Sequence, residues 1–525
     1  MGNKGILSTN YIYFTGLLLL VAALPLSLFV ISISQFVLAA AFLAEGDFRV
    51  KVRKFLSSKT ALLFTGIWFM HLFGLIWTED LSGGLKDLRI KLPLLLIPLF
   101  VVGSKPLTVI QFRWLLLIFV SAVFCASLIS MAVLAGIVER DVRDIRDIFI
   151  FNISHIRFAL FVCLSIFIIF WLAFKEQRNV RPFLKILSVL LALWLFLFLI
   201  IVESVTGILI FGTTGILLLL YYAFKSSNLA LRIVLGVSIF LLPLTAILAL
   251  HRFVTDYYQT QSYPINTADR TSQGNEYGFN LEDPHYENGF PIWVYVCDKE
   301  LSETWNQISR IPYDSLDERK QPLRHTLIRF LASKGLRKDA EGVKKLSKKE
   351  IRSVERGIAN VNYQEISSLK ARFLQIIWEF DQSVRGANPS GHSVTQRFEF
   401  WKAAVGISAK NFFIGVGTGD MPEAYRIQYD SMKSSLDEVH RLRAHNQYLA
   451  ILVAFGILGL VYFISVFFFP LFYFKRKIGF LFFVFFIIIA LSMLSEDTLE
   501  TQVGATFTAL FFFVFLFADP GRKLS

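Results

Sequence analysis

The residue types able to do chemistry gather in a few short stretches. His445 stands in Arg441-Leu442-Arg443-Ala444-His445-Asn446-Gln447, just before a long apolar run. Imidazole ordinarily titrates near neutrality, so a histidine at that border could take or give a proton. A helix-start histidine with no such role fits the same residues, and both readings stand. Arg397 lies upstream in Gln396-Arg397-Phe398-Glu399-Phe400-Trp401, and Arg157 in Ser154-His155-Ile156-Arg157-Phe158, at the head of another apolar run. A guanidinium at such a place is costly unless it is paired or functional, and its planar fork suits phosphate oxygens. The plainer alternative is a snorkelling anchor, and Arg89 with Lys91 carries the same two readings. Gly415-Val416-Gly417-Thr418-Gly419-Asp420 offers backbone N–H groups of the kind that cradle phosphates. No strand–turn–helix context surrounds it, so a dinucleotide fold is excluded, and a sharp turn re-entering the apolar part accounts for the glycines more simply. Glu496, Asp497 and Glu500 cluster between the last two apolar runs, either as a polar turn or to orient a histidine or an acceptor.

The elements that must hold these residues are apolar helices. The chain has 525 residues, 55% hydrophobic and 18% charged, with 54 phenylalanines and a net charge of +13. Soluble domains carry roughly 25% charged residues. Here the apolar residues fall into runs long enough to cross a bilayer, about 20 residues each. Twelve such segments lie near 11–25, 28–44, 61–77, 92–103, 113–136, 156–174, 184–202, 206–224, 231–250, 445–474, 479–495 and 503–518. The fourth is short and suggests a tilted or partly re-entrant piece. Threaded with the N-terminus inside, the inner connections hold Arg49, Lys51, Arg53 and Lys54; Lys105 and Arg113; Arg178 and Lys185; Lys225 and Arg232; Lys475–Lys477; and the tail Arg522 and Lys523. The opposite loops are mixed or acidic, as the positive-inside rule asks. The fold class expected is an all-α polytopic membrane protein of about twelve helices: a bundle over 1–250, a large α-rich external loop domain over 251–444, and three helices over 445–525.

Within the external segment, helices are expected over 325–334 with a stop at Gly335, after a capping box at Ser347–Glu350, and across Ile366–Phe380. Residues 255–322, rich in Gly, Pro, Asn, Tyr and Trp, read as irregular. A helix from His445 to Phe474 would be about 45 Å long, so its first turns would stand clear of the lipid. Gly456 and Gly459, three apart, suit close helix packing.

Several chemistries are excluded. No zinc-binding His-Glu-x-x-His, Cys-x-x-Cys pair or Walker motif occurs, so neither a metal nor another cofactor is expected. Asp141, Asp144 and Asp147 alternate with arginines, as a solvated helix face does. The basic balance could suggest nucleic acid, but in a membrane chain lysines and arginines on inner loops explain it more cheaply, and no nucleic-acid partner is expected. Cys125, Cys163 and Cys297 form no expected bridge. The N-terminal stretch reads as an uncleaved anchor.

His445-Asn446, nine residues, Gly456, two residues and Gly459 together resemble the signature at the end of the large periplasmic loop of O-antigen ligases. The segment from Gln396-Arg397 through Trp401 to Gly415–Asp420 resembles the part preceding it in the wider superfamily of O-antigen ligases, O-antigen polymerases and protein O-oligosaccharyltransferases, with a Bacteroidetes-type insertion over 255–360. The resemblance implies a metal-independent, multi-pass enzyme of the bacterial inner membrane, with cytoplasmic termini and a periplasmic loop. The donor would be a glycan on undecaprenyl pyrophosphate and the acceptor a sugar hydroxyl of lipid A–core. His445 matches the family's general base; Arg397 and Arg157 match the arginines that hold the pyrophosphate. Arg89, Arg441, Arg443, Asn446, Gly415, Gly417, Gly419, Glu496 and Asp497 are accessory candidates. Glu203–Gly207 departs from the family, lacking a Ser-Arg pair that many relatives carry there.

Three rival functions remain in view. A polymerase would join lipid-linked repeat units to one another, and a protein O-oligosaccharyltransferase would use a Ser or Thr acceptor. A lipid or solute transporter would carry ionisable residues in mid-span and repeated halves, whereas the apolar runs here hold almost none.

Overall fold

The computed structural model describes residues 2–518 apart from 141–144, 150–152, 177–180, 259–262, 283–284, 365–367 and 385–387. Asp141, Asp144, Arg178, Ile366, Arg522 and Lys523 therefore lie outside the described residues. The described chain is mostly helical. Its strands form two short antiparallel pairs, Gly278–Phe279 with Val294–Val296 and Tyr286–Glu287 with Phe290–Pro291.

Among the described residues, seven helices are long and apolar enough to cross a membrane: Lys59–Trp77, Val109–Leu134, His155–Phe174, Pro182–Ile201, Val205–Lys225, Leu229–Thr255 and Gln447–Phe474. The pair Leu28–Ala44 and Phe48–Ser57, bent by 113°, makes an eighth if taken as one broken span. Tyr11–Ala23, Phe480–Ser492 and Gln502–Ala518 are shorter apolar helices. The twelve expected segments thus become fewer helices of full spanning length. One reason is the 92–103 segment, which forms the 11-residue helix Pro93–Gly103. At about 16 Å it reaches only half of a ~30 Å hydrocarbon core.

The chain divides into two compact units, one of residues 1–224 with 396–525 and one of residues 225–395. These limits differ from the boundaries read in the sequence: residues 396–444 cluster with the apolar bundle, and the Leu229–Tyr258 helix clusters with the polar segment. The second unit has its own core of Leu301, Trp305, Leu327, Phe330, Leu331, Val343 and Val354. Its helices Leu323–Ser333, Lys348–Glu355 and Ser368–Val384 match the sequence expectation, including the Ser347–Glu350 capping box and a left-handed Gly335. The supposedly irregular 255–322 also contains the strands and the helix Asp298–Ile308. Its signal was brief: Leu301 and Trp305, one turn apart, are the apolar pair it buries.

In the first unit the innermost helices are His155–Phe170, Phe480–Ser492 and Gln502–Phe513, each buried along most of its length. Phenylalanines fill the space between them. Phe507 lies 4.7 Å from Phe161, 5.5 Å from Phe485 and 5.3 Å from Phe511, ring centre to ring centre.

The helix Gln447–Phe474 is not continuous. Gly456 has φ 62° and ψ −165°, which interrupts it. The chain after Phe412 crosses the break, and backbone bonds join the two: Val416 N to Val453 O at 3.0 Å, Gly417 N to Ala454 O at 2.9 Å, and Ile457 N to Phe412 O at 2.8 Å. The crossing is so close that a Cβ on Gly456 would lie 2.3 Å from the Phe413 carbonyl carbon, and one on Gly415 2.3 Å from that of Ala454. Gly456 therefore serves a backbone crossing rather than the helix–helix packing expected of it, and the uninterrupted 45 Å helix is replaced by two pieces starting at Gln447.

Gly456→Ala should be severely destabilising. That backbone conformation is open essentially to glycine alone and costs other residues of order 1–3 kcal/mol before any clash. Thermal melting in detergent should show a large loss of folded protein for Gly456→Ala and wild-type behaviour for Gly212→Ala, where an added Cβ meets nothing within 4 Å.

Candidate functional site

The site grows from the turn between two of the innermost helices. Because Phe480–Ser492 and Gln502–Phe513 are buried, their connection is drawn inward with its polar residues. Glu496, Asp497 and Glu500 are each 5% exposed or less. Three carboxylates in such a place require cations and hydrogen bonds. Arg157, at the start of the His155–Phe170 helix, places Nη2 3.5 Å from Glu496 Oε1. Arg443 spans two acids, with Nε 3.2 Å from Asp497 Oδ2 and Nη1 3.2 Å from Glu500 Oε2. Lys91, with no exposed surface, places Nζ 2.7 Å from Glu500 Oε2 and also pairs with Asp87, one helical turn before it.

His445 lies against the same turn. Its Nδ1 is 3.6 Å from Asp497 Oδ1 and 3.7 Å from Glu496 Oε1. Its backbone is left-handed, φ 45°, a conformation that non-glycine residues hold only where neighbours impose it. Those neighbours are specific. Trp401 Nε1 donates to Ala444 O at 3.0 Å. Asn446 caps the following helix by accepting from Leu449 N at 3.0 Å, and its Nδ2 donates to Leu494 O at 2.9 Å. Gln447 N donates to Met493 O at 2.9 Å, and Gln447 Oε1 accepts from Leu499 N at 2.7 Å. The segment 444–447 is thus sewn to 493–499 on one side and to the Thr395–Lys410 helix on the other.

That helix supplies the next part. Arg397, Phe400 and Trp401 are three and four residues apart, so they share a face. Trp401 makes the bond just given, Phe400 packs on the His445 ring at 5.8 Å, and Arg397 is carried to the same acids. Burial pulls the Arg397 guanidinium below its ordinary value, while Glu496 and Asp497 pull the other way. No described residue forms a hydrogen bond or ion pair with Arg397. Arg157 is also incompletely used, since its buried Nε has no hydrogen-bond partner.

The other sequence candidates fall elsewhere. Arg89 is exposed, whereas Lys91 two residues on is buried in the charge network, so the pair at this position divides its roles. Arg441 bonds Asp430 at 2.7 Å and Leu436 O at 3.1 Å, away from the carboxylate turn. The Gly415–Asp420 segment packs on residues 71–80. Its amides at Thr418 and Gly419 donate to Thr78 Oγ1, Thr418 Oγ1 donates to His71 O, and Asp420 accepts from the amides of Glu79 and Asp80. With Val416 and Gly417 bonded across the helix break, the N–H groups of residues 416–419 are already engaged by protein acceptors. Asp87, and the inward role of Lys91, do not show in the sequence because a Lys–Asp pair one turn apart is ordinary on any exposed helix.

His445, Glu496 and Asp497 bring ligand-type atoms within 4.8 Å of one another. Arg157 and Arg443 occupy the same two carboxylates, so a divalent cation would meet two guanidiniums. The arrangement is better suited to holding a proton on the imidazole. The nearby carboxylates of Asp497 and then Glu496 raise the His445 pKa to about 9, against the opposing effect of burial. Asp497 answers in the opposite sense: burial raises it, but His445 and Arg443 hold it below the usual carboxylate range.

The His445 pKa, 6.5 ordinarily and about 9 in the fold, makes stability depend on pH. The folded chain keeps a proton that the unfolded chain releases. The stabilisation is therefore complete below about 6.5 and lost as pH rises through about 9. Thermal midpoints of the wild type should fall across that window, and His445→Gln should flatten the fall. An unchanged slope in the variant would remove His445 from the titration.

The comparison with known families follows this geometry. Residues 357–464 match the family model described as O-antigen ligase. The match contains Arg397, Arg443 and His445, while Lys91, Arg157 and the acids of 496–500 come from outside it. No curated protein matches the chain. Over residues 357–464, about a fifth of its length, the chain is thus similar to an O-antigen ligase domain, and it carries seven helices long and apolar enough to cross a membrane among the described residues.

Proposed function

We propose that the protein is a glycosyltransferase of the bacterial inner membrane that moves a glycan from undecaprenyl pyrophosphate to a sugar hydroxyl of lipid A–core. The observation that carries this reading is the pairing of two under-used arginines with a carboxylate-held histidine. Arg397 has no bonded partner among the described residues, and Arg157 keeps a free buried Nε. Both lie in the field of Glu496, beside His445.

In the proposed reaction the acceptor hydroxyl oxygen attacks the anomeric carbon of the donor sugar. The bond from that carbon to the phosphate oxygen breaks, and lipid pyrophosphate leaves with the electron pair. Arg157 and Arg397 match its growing negative charge. The hydroxyl proton passes to His445 Nε2, since Nδ1 faces Glu496 and Asp497. Those carboxylates then hold the imidazolium, as in other sites where an acid orients a histidine base. The sugar–pyrophosphate bond is already activated, so no nucleotide is consumed.

Neutral imidazole is the competent form, and the His445 pKa is about 9 before substrate binds. Transfer by purified protein should therefore rise with pH toward about 9; a flat profile from pH 6 to 9 would speak against His445 as the base. His445→Ala should abolish transfer, and Arg397→Ala or Arg157→Ala should lower it by about 100-fold or more. In the native host, deletion should leave lipid A–core bare while polymer accumulates on undecaprenyl pyrophosphate, and the wild-type gene should restore it. A core carrying a single repeat unit would instead identify a polymerase.

A further inference from the structure

The buried pair Lys91–Glu500 has no part in the reaction as written, yet it is the most enclosed charge pair of the site. The Lys91 side chain is 1% exposed and that of Glu500 2%. Glu500 spends its oxygens on three partners. Oε2 meets Lys91 Nζ at 2.7 Å and Arg443 Nη1 at 3.2 Å, and Oε1 accepts from Gln447 Nε2 at 3.3 Å. Arg443 and Gln447 each lie two residues from His445, one on either side, and Arg443 also holds Asp497.

We propose that Lys91 and Glu500 are positioning residues which, through Arg443 and Gln447, fix the turn carrying His445 and the carboxylate that faces it. The proposal deepens the glycosyl-transfer reading and rests on it for the kinetic part of its test. Its logic is electrostatic. A carboxylate this deep persists only with compensating charge. Lys91 supplies that charge from beneath, which lets Glu500 share Arg443 with Asp497. Arg443 is then divided between two acids, and Asp497 keeps enough free charge to hold the His445 proton. Without Glu500, Arg443 would turn wholly to Asp497 and compete with His445 for it. The left-handed residue at 445 would also lose one of the two anchors that bracket it. The charged groups facing His445 are Glu496, Asp497, Arg443, Arg157 and Arg397.

The test uses full-length protein in detergent or proteoliposomes. Removing only one charge leaves the other buried and alone, which threatens folding, so the working variant is Lys91→Met with Glu500→Gln together. Replacing a buried pair by groups of similar volume is often tolerated. The first readout needs no enzymatic activity: the rate of His445 carbethoxylation by diethyl pyrocarbonate against pH, read by mass spectrometry. The wild type should gain reactivity toward pH 9, and the double variant should do so at least one pH unit lower. The second readout is transfer: kcat should fall about 10- to 100-fold in the variant, with the donor KM changed by less than about threefold, as expected when a reacting group is misplaced while the donor is held as tightly as before. A melting temperature close to wild type, combined with an unshifted His445 profile and unchanged kcat, would overturn the proposal. If the wild type shows no transfer to any glycan acceptor while the carbethoxylation shift is seen, the positioning role stands and the glycosyl-transfer reading fails.

Discussion

Burying three carboxylates at one end of an apolar bundle is the constraint on which the site depends. Glu496, Asp497 and Glu500 are drawn inside because the two helices they join are core helices. Anions there are tolerable only when cations and hydrogen bonds meet them. The bundle answers with residues from distant parts of the chain: Lys91, Arg157, Arg443 and the His445 imidazole. The cost of that burial is what makes the histidine unusual. An imidazole facing two buried carboxylates keeps its proton well past neutrality, and so becomes a stronger base when neutral.

A second constraint is steric. For His445 to reach the acid turn, the helix after it must begin at Gln447 and run beneath the loop that returns from the Thr395–Lys410 helix. The loop and helix cross backbone to backbone, with Gly415 and Gly456 as the meeting points. The break at Gly456 divides the helix into a short piece beneath His445 and a longer membrane piece. Thr78 and Asp420 then lock the loop to the end of the Lys59–Trp77 helix by side chain-to-backbone bonds. Glycine spacing that reads as phosphate-cradling in sequence is thus spent here on mutual approach of main chains.

These two constraints explain why the family match alone does not contain the site. Residues 357–464 bring the histidine, Arg397 and the glycines. The groups that tune the histidine come from before and after that segment. Arg157 arrives at the head of a core helix, and the acids arrive with the last connection in the bundle. The segment that carries His445 depends on the surrounding helices for its electrostatics.

Several features were legible in the residues themselves. Long apolar runs announce membrane helices because a bilayer admits little else. The capping box at Ser347 and the left-handed Gly335 mark helix ends by local chemistry. Histidine and arginine beside apolar runs announce a polar site, since their burial is otherwise unrewarded. Tertiary structure decided the rest. Whether Arg89 or Lys91 turned inward depended on which side of the chain faced the core, since residues two apart point to nearly opposite sides, and no local pattern encodes that. The role of Gly456 depended on a chain segment crossing it from more than forty residues away. The protonation of His445 depended on carboxylates fifty residues downstream, for electrostatic strength is set by distance and burial, and the sequence contains neither.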